Sequence, residues 1–344
     1  MPRTSLIRPR VSLLAAGTVV GGKEFSGPLG ACFDYSNPSD RFGEETWERA
    51  ESEMQRMALG AALDKAGLQV GDVDMLFAGD LLNQCTGSSY GLLSYDIPYL
   101  GLYGACSTSS EGLLLASAMV GAGYARITAA VTSSHNAAAE RQFRSPIEYG
   151  GQRAPTAQWT VTGSGAFILT DGATAAGREL ATVTYALPGI VVDAGISDVA
   201  NMGAAMAPAA LDTLRRFFEA SNTVPADYDL IVTGDLGWEG SRILCDLADA
   251  EGLNLRSRHN DCGMMIFSRN TQDTHSGGSG CGCSAVVLGG YLLPKLQSGT
   301  ISRMLYMATG AMMSPDSIKQ GQSIPAVAHL VCLESPCTGG KESL

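Results

Sequence analysis

The apolar positions of the chain fall into a few distinct periods. From Val11 to Val20 nearly every residue is apolar, and the run ends in three β-branched residues, Thr18, Val19 and Val20, before Gly21–Gly22. A continuous apolar run closed by a glycine turn predicts a strand buried on both faces. Trp47, Ala50, Met54, Met57, Ala58 and Ala61 then recur at steps of three and four. That spacing marks one face of a helix, and Gly67 supplies its stop. Asp74–Asp80 (DMLFAGD) reads as a short buried strand, Ser107–Gly121 as an apolar helix and Ile127–Thr132 as another strand. Strands alternating with helices predict a mostly parallel sheet with helices on its faces. Between Ser133 and Gly165 the periodicity breaks, and the pattern predicts a long polar loop.

Two segments of this pattern occur twice. Asp74–Leu81 (DMLFAGDL) matches Asp229–Leu236 (DLIVTGDL) position by position in residue type. Gly-Ala-Cys106-Ser, followed by an apolar helix and RITAAVTSS, matches Cys-Gly-Cys283-Ser, followed by an apolar helix and RMLYMATGA. The order is the same in both places. Two similar α/β halves are therefore expected, 1–175 and 176–344, joined near Asp171–Arg178.

Composition sharpens this picture. The chain has 344 residues, of which 45% are hydrophobic and only 17% charged, so disorder by charge excess is excluded. Its 42 glycines have no collagen period and point to tight turns and close helix–sheet packing. The formal charge of −11 argues against nucleic acid as a partner. Nine cysteines at irregular spacings fit free thiols in a reducing compartment better than a disulfide scaffold. Arg3, Arg8 and Arg10 ahead of Val11–Val20 imitate a signal peptide, but the β-branched run favours the buried strand. No apolar run reaches the ~18 residues of a membrane helix.

Cys106 is the first chemical candidate. It stands directly before an apolar helix, where the positive end of the helix dipole is expected to lower its pKa and favour the thiolate. His275, ahead of a glycine-rich turn that opens a helix, is placed to point into a cleft between the halves. The segment 133–165 holds His135, Glu140, Arg141, Arg144, Glu148 and Arg153, an unexpected density of arginine in an acidic chain. Loops of this kind cover a site or reach a partner, and guanidinium forks suit carboxylates. Cys281 and Cys283 form C-x-C rather than the paired C-x-x-C of a zinc ribbon, so no metal is expected. No phosphate-binding glycine motif is present, and no cofactor is expected.

Two glycine-rich, cysteine-bearing half-repeats resemble the thiolase superfamily, which includes the ketoacyl synthases. In those enzymes a cysteine at the start of a buried helix takes up an acyl chain, and Cys106 lies in the corresponding motif. Thr274-His275-Ser-Gly-Gly is similar to their Gly-His-x-x-Gly turn. They carry another histidine where this chain has Thr233-Gly-Asp235-Leu-Gly, so their third catalytic group is missing. Within the superfamily, Ala139–Ala166, Thr233–Gly237, Asn260–Gly263, His275–Ala285 and Gln320–His329 resemble the stage V sporulation protein AD family.

The resemblance implies a five-layer α/β/α/β/α fold, with one sheet from each half stacked around a buried helix pair. It also implies a homodimer in a spore-forming bacterium. The family binds pyridine-2,6-dicarboxylic (dipicolinic) acid, free or with calcium, for uptake into the forespore. It acts with membrane proteins of the same assembly. The implied location is cytoplasmic or peripheral at the forespore inner membrane. A rigid planar dianion calls for guanidinium forks and a flat wall. Arg141, Arg144 and Arg153, with Tyr149, Trp159 and His135, are the candidates. The alternative is an active acyltransferase using Cys106 and His275.

Overall fold

The computed structural model describes residues 6–143 and 153–338. The first apolar run forms β1 (Val11–Gly21), every residue of which is buried. The next strands are β2 (Tyr35–Asn37), β3 (Met75–Gly79), β4 (Tyr99–Leu102), β5 (Ile127–Ser134), β6 (Trp159–Thr160) and β7 (Gly163–Thr170). β8 (Ala181–Leu187), β9 (Leu230–Thr233), β10 (His259–Asp261), β11 (Gly278–Ser279), β12 (Arg303–Ala311) and β13 (Ala326–Glu334) complete the set among the described residues.

The helix Trp47–Ala66 begins and ends where its pattern predicts. The Thr46 side chain accepts a hydrogen bond from the Arg49 N–H, and Gly67 closes it in the left-handed region at φ 67°. Its backbone lies directly on β1. A Cβ at Gly17 would stand 2.2 Å from the Ala58 carbonyl oxygen, so only glycine permits the approach.

The two halves share one topology. The strand order β4-β3-β5-β7-β1 has its counterpart in β10-β9-β12-β13-β8, read inward from the opposite edge of the sheet. Each reads third, second, fourth, fifth, first in its own chain order. In each, the fifth strand, β7 or β13, runs antiparallel to both neighbours while the others pair in parallel. The repeated octamers fall on β3 and β9, the second strand of each half. RITAAVTSS and RMLYMATGA fall on β5 and β12, the fourth.

The sheets are not separate, as the resemblance had implied. Val11–Leu13 of β1 pairs antiparallel with Val183–Ala181 of β8, and this short ladder joins them into one 11-stranded sheet among the described residues. The halves meet through the first strand of each, whose free edges saturate each other's backbone groups.

Five layers follow from the packing. The helix Trp47–Ala66 covers β1, β5 and β7 on one outer side. The helix Thr108–Gly121 lies in the middle, against β3 and β5 of one half and β12 and β13 of the other. The helix Cys281–Val287 packs beside it on β1, β5 and β7. The helix Met202–Ser221 covers β12 and β13 on the far side, with Gly237–Ala250 alongside. Successive residues of a strand serve different layers: Leu76 packs with Met54 and Leu59 outside, Phe77 with Leu113 and Phe167 inside.

The described part of the segment 133–165 begins with regular structure where its polarity predicts a loop. β5 extends to Ser134, and Asn136–Phe143 forms a helix in which Ala138 and Ala139 are buried. The alanines supply helix propensity and, with the buried Glu140, the inner face, while Arg141 lies on the exposed side.

Candidate functional site

Cys106 lies in a clamped turn ahead of the central helix. Ala105 occupies the left-handed region at φ 49°, an uncommon conformation for a residue with a Cβ. Side chains hold it there. The Thr108 hydroxyl accepts from the Gly104 N–H at 3.0 Å and donates to the Ala105 carbonyl at 2.7 Å. The Ser107 hydroxyl donates to the Gly104 carbonyl at 2.6 Å. From the other half, Gly310 of β12 presses on the same turn, where a Cβ would lie 2.1 Å from the Gly104 oxygen.

The thiol meets a buried acidic network. Cys106 Sγ is 3.9 Å from Ser279 Oγ, and Ser279 Oγ donates to Asp235 Oδ2 at 3.1 Å. The same carboxylate accepts from the Gly280 N–H at 2.9 Å and, through Oδ1, from the Thr309 hydroxyl at 2.9 Å. Burial pushes the Asp235 carboxyl up to about 6, against the pull of these donors. Asp261 stands behind it. It accepts from the N–H groups of Leu236 and Gly237, and burial pushes it up to about 7.

Position before a helix was expected to make Cys106 a thiolate, and the structure corrects this. Burial, and then the neighbouring Asp235 carboxylate, push the thiol well above its ordinary value. Desolvation and like charge outweigh the helix dipole, so Cys106 stays a thiol. Because Ser279 commits its hydrogen to Asp235, it can only accept from Cys106. The thiol proton is therefore directed inward, toward the Asp235 carboxylate and the serine.

Cys106 opens onto a narrow cavity of about 50 Å³. Its walls are mostly apolar, with Leu81, Tyr103, Ala139, Phe143, Met202 and Met313, and its polar side carries Glu140, Thr160 and Ser279. Thr160 donates to Glu140 Oε1 at 3.1 Å. Cys281 packs beside Cys106, but its thiol donates to the Ser133 carbonyl at 2.9 Å, whereas Cys283 faces the Gly234 carbonyl. All nine cysteines are free. Among the described residues no group of three or more His, Cys, Asp or Glu side chains converges as a metal would require.

The other sequence candidates are dispersed. Arg153 comes nearest. Its guanidinium is 3.5 Å from Glu140 Oε1, donates to the Gln158 carbonyl and lies 5.0 Å from the Trp159 ring centroid. Lys23 stands 3.7 Å from the same ring, a cation that sequence reading missed because it lies in a distant segment. Arg141, on another face of its helix, pairs with Glu48 beside a separate surface cavity. His135 is buried against Trp47, with Nε2 2.8 Å from the Asp40 carbonyl, and burial lowers its pKa. His275 pairs with Asp273 at 3.0 Å and is not among the residues lining the Cys106 cavity. Arg144 and Tyr149 lie outside the described residues. Ser279 was also missed; its only signal was a place within Gly-Ser-Gly-Cys-Gly-Cys.

Solved structures place the architecture. An acetyl-CoA acetyltransferase from Syntrophomonas wolfei superposes with a TM-score of 0.61 at 9% identity, covering 96% of this chain and 100% of the other. The 3-oxoacyl-(acyl carrier protein) synthase III of Xanthomonas oryzae pv. oryzae gives 0.59 at 14%, covering 95% and 100%. Human mitochondrial 3-ketoacyl-CoA thiolase gives 0.59 at 12%, covering 95% and 98%. At such identities the likeness concerns the fold, which is thiolase-like.

Sequence narrows the class to one family. The family model described as stage V sporulation protein AD matches residues 2–334, and the chain belongs to that family. It is 45% identical over 320 residues to stage V sporulation protein AD of Bacillus subtilis (strain 168), with 93% of each chain covered.

Proposed function

We infer that this sporulation protein binds dipicolinic acid, free or calcium-bound, for uptake into the forespore, and that it does so without catalysis. The observation that carries the second half is the Asp235 carboxylate, which stands where the ketoacyl synthases carry a histidine. A histidine there can donate to a thioester oxygen; an ionised carboxylate cannot. Together with a thiol kept protonated, this removes both the nucleophile and the charge stabilisation that condensation needs.

The Cys106 cavity is the proposed place of binding. Its apolar walls suit a flat aromatic ring, and Arg153 reaches its polar side through Glu140. The pair of opposite charges there favours the calcium complex, which presents both a cation and carboxylates. The cavity is narrower than the acid, so binding includes displacement of Phe143 or Met313 from the wall. No helix among the described residues is long and apolar enough to cross a membrane, and delivery to the forespore then falls to membrane proteins of the same assembly. The proposed working unit is a homodimer.

Calorimetric titration with dipicolinic acid, with and without calcium, tests the reading, with picolinic acid and an acyl-CoA for comparison. Saturable binding of dipicolinate over picolinate, weakened in Arg153→Gln, is expected. Acyl-CoA binding with no response to dipicolinate would overturn it.

A further inference from the structure

The N-terminal arm is fixed at two points before β1 begins. Ile7 and Ala186 exchange both backbone hydrogen bonds at 2.9 Å, which ties the arm to β8. Pro9 packs on the end of the central helix, where a Cβ at Gly121 would stand 2.7 Å from the Pro9 Cα. Arg8 and Arg10 flank that proline and are exposed. They line a cavity of about 300 Å³ together with Thr182, Thr184, Tyr185 and Glu334. A β-bulge gathers the wall opposite the arm. The pairing of β8 with β13 shifts register between Cys332 and Leu333, which leaves Thr184 as the extra residue. Two successive residues, Thr184 and Tyr185, thereby reach one cavity, where a regular strand would offer alternate ones.

The charge at this cavity is one-sided. Among the described residues neither Arg8 nor Arg10 has an ion-pair partner, and the Thr182 hydroxyl makes no hydrogen bond. The one acid of the lining is already engaged: Glu334 pairs with Arg303 at 2.9 Å and accepts from the Thr184 hydroxyl at 3.2 Å. Arg8 lies 5.5 Å and Arg303 6.0 Å from the Tyr185 ring centroid. Three guanidinium groups thus stand against one carboxylate, on a chain of net charge −11. Guanidinium forks joined by a spare hydroxyl suit a tetrahedral oxoanion, whose oxygens point in several directions, better than a flat carboxylate. We propose that this cavity binds a phosphate group, with Arg8 and Arg10 holding its oxygens and the Thr182 hydroxyl donating to it. Free phosphate and a lipid headgroup both present that chemistry, and the experiment separates them. The site is independent of the Cys106 cavity and of the reading given for it.

Inorganic phosphate is titrated calorimetrically at low salt into the full chain, with acetate for comparison. The same is done with Arg8→Gln/Arg10→Gln, Arg8→Lys/Arg10→Lys, Arg153→Gln and the charge-matched Arg258→Gln/Arg269→Gln. Each protein is also sedimented with vesicles of phosphatidylglycerol or of phosphatidylcholine. Phosphate should bind more tightly than acetate. Loss of charge-assisted bonds should weaken binding about tenfold or more in the Arg8/Arg10 glutamine variant. The lysine variant, which keeps charge but not forks, should fall between, and the other two should bind as the parent does. Calorimetric binding without vesicle capture would support the site with free phosphate as its source. Capture by phosphatidylglycerol and not phosphatidylcholine, lost in the glutamine variant, would support it with a headgroup. Binding of neither phosphate nor vesicles, unchanged binding in Arg8→Gln/Arg10→Gln, or equal loss in the charge-matched control would overturn the proposal. Loss in Arg153→Gln alone would place the anion at the Cys106 cavity, overturning this site while leaving the proposed function intact. Arg8 and Arg10 are exposed, and an unchanged melting temperature verifies that the variants fold.

Discussion

At the scale of single residues, burial decides the chemistry. Cys106 has a helix start that would acidify an accessible thiol, yet desolvation and Asp235 act the other way and win. Alkylation by iodoacetamide, followed by peptide mapping, should therefore label Cys106 at least about tenfold more slowly than the exposed Cys337. In Asp235→Asn the gap should narrow, because the nearest negative charge is gone. Faster labelling of Cys106 than of Cys337 would restore the nucleophile. Glu24 shows the same physics in stability. It is buried, with Oε1 accepting from the Thr162 N–H at 3.0 Å and Oε2 without a hydrogen-bond partner among the described residues. Burial raises its carboxyl from 4.5 to about 8. The folded state then holds a proton that the unfolded state releases above pH 4.5, so stability falls as pH rises from there to about 8. Glu24→Gln should remove that slope and stabilise the chain at pH 8 by on the order of a few kcal/mol relative to the parent. Urea unfolding at pH 5 and pH 8 reads both effects. Parallel pH profiles for the two proteins would mean that Glu24 is not the source.

At the scale of elements, legibility depended on whether the deciding interactions were local. The helix Trp47–Ala66 and the strands β3 and β5 were readable because periodicity, a threonine cap and a stop glycine lie within the segment itself. The internal repeat was readable because equivalent strands occupy equivalent positions and need similar side chains. What failed needed the third dimension. The β1–β8 ladder joins residues about 170 positions apart, and only three residue pairs carry it. Lys23 meets Trp159, and Ser279 meets Asp235, only because segments distant in sequence come together within each half. The helix Asn136–Phe143 was hidden by its polar face, although its alanine run was in plain view. Of the site, Cys106 was found and Asp235 noticed as a departure, while the arginines were read as one group. Helical geometry separates Arg141 from the side of Glu140, and two positions on one helix that differ by one residue point about 100° apart.

At the scale of the whole molecule, the sheet has an unfinished side. β4 ends the strand order, and Tyr99 and Leu100 are exposed along it at 39% and 43%. Tyr103 follows, and Tyr90 and Leu93 stand out from the preceding turns at more than 70% exposure. An edge strand offers unpaired N–H and C=O groups, and proteins ordinarily guard it with charge, proline or a bulge. Here the edge strand reads Tyr-Leu-Gly-Leu, with none of these protections. A second copy meeting it across a two-fold axis would pair β4 with β4 and cover the same aromatic side chains on both chains. Tyr103 also lines the Cys106 cavity, so such a contact would brace one wall of the site. Light scattering after size exclusion should accordingly give twice the mass of 35.8 kDa for the parent chain. Leu100→Glu places like charges opposite each other at the centre of the contact and should yield the monomer with the fold kept, since Leu100 is exposed within one chain. A parent chain that elutes as a monomer, or a dimer that survives Leu100→Glu and Tyr99→Glu together, would mean that something other than a second copy covers this edge.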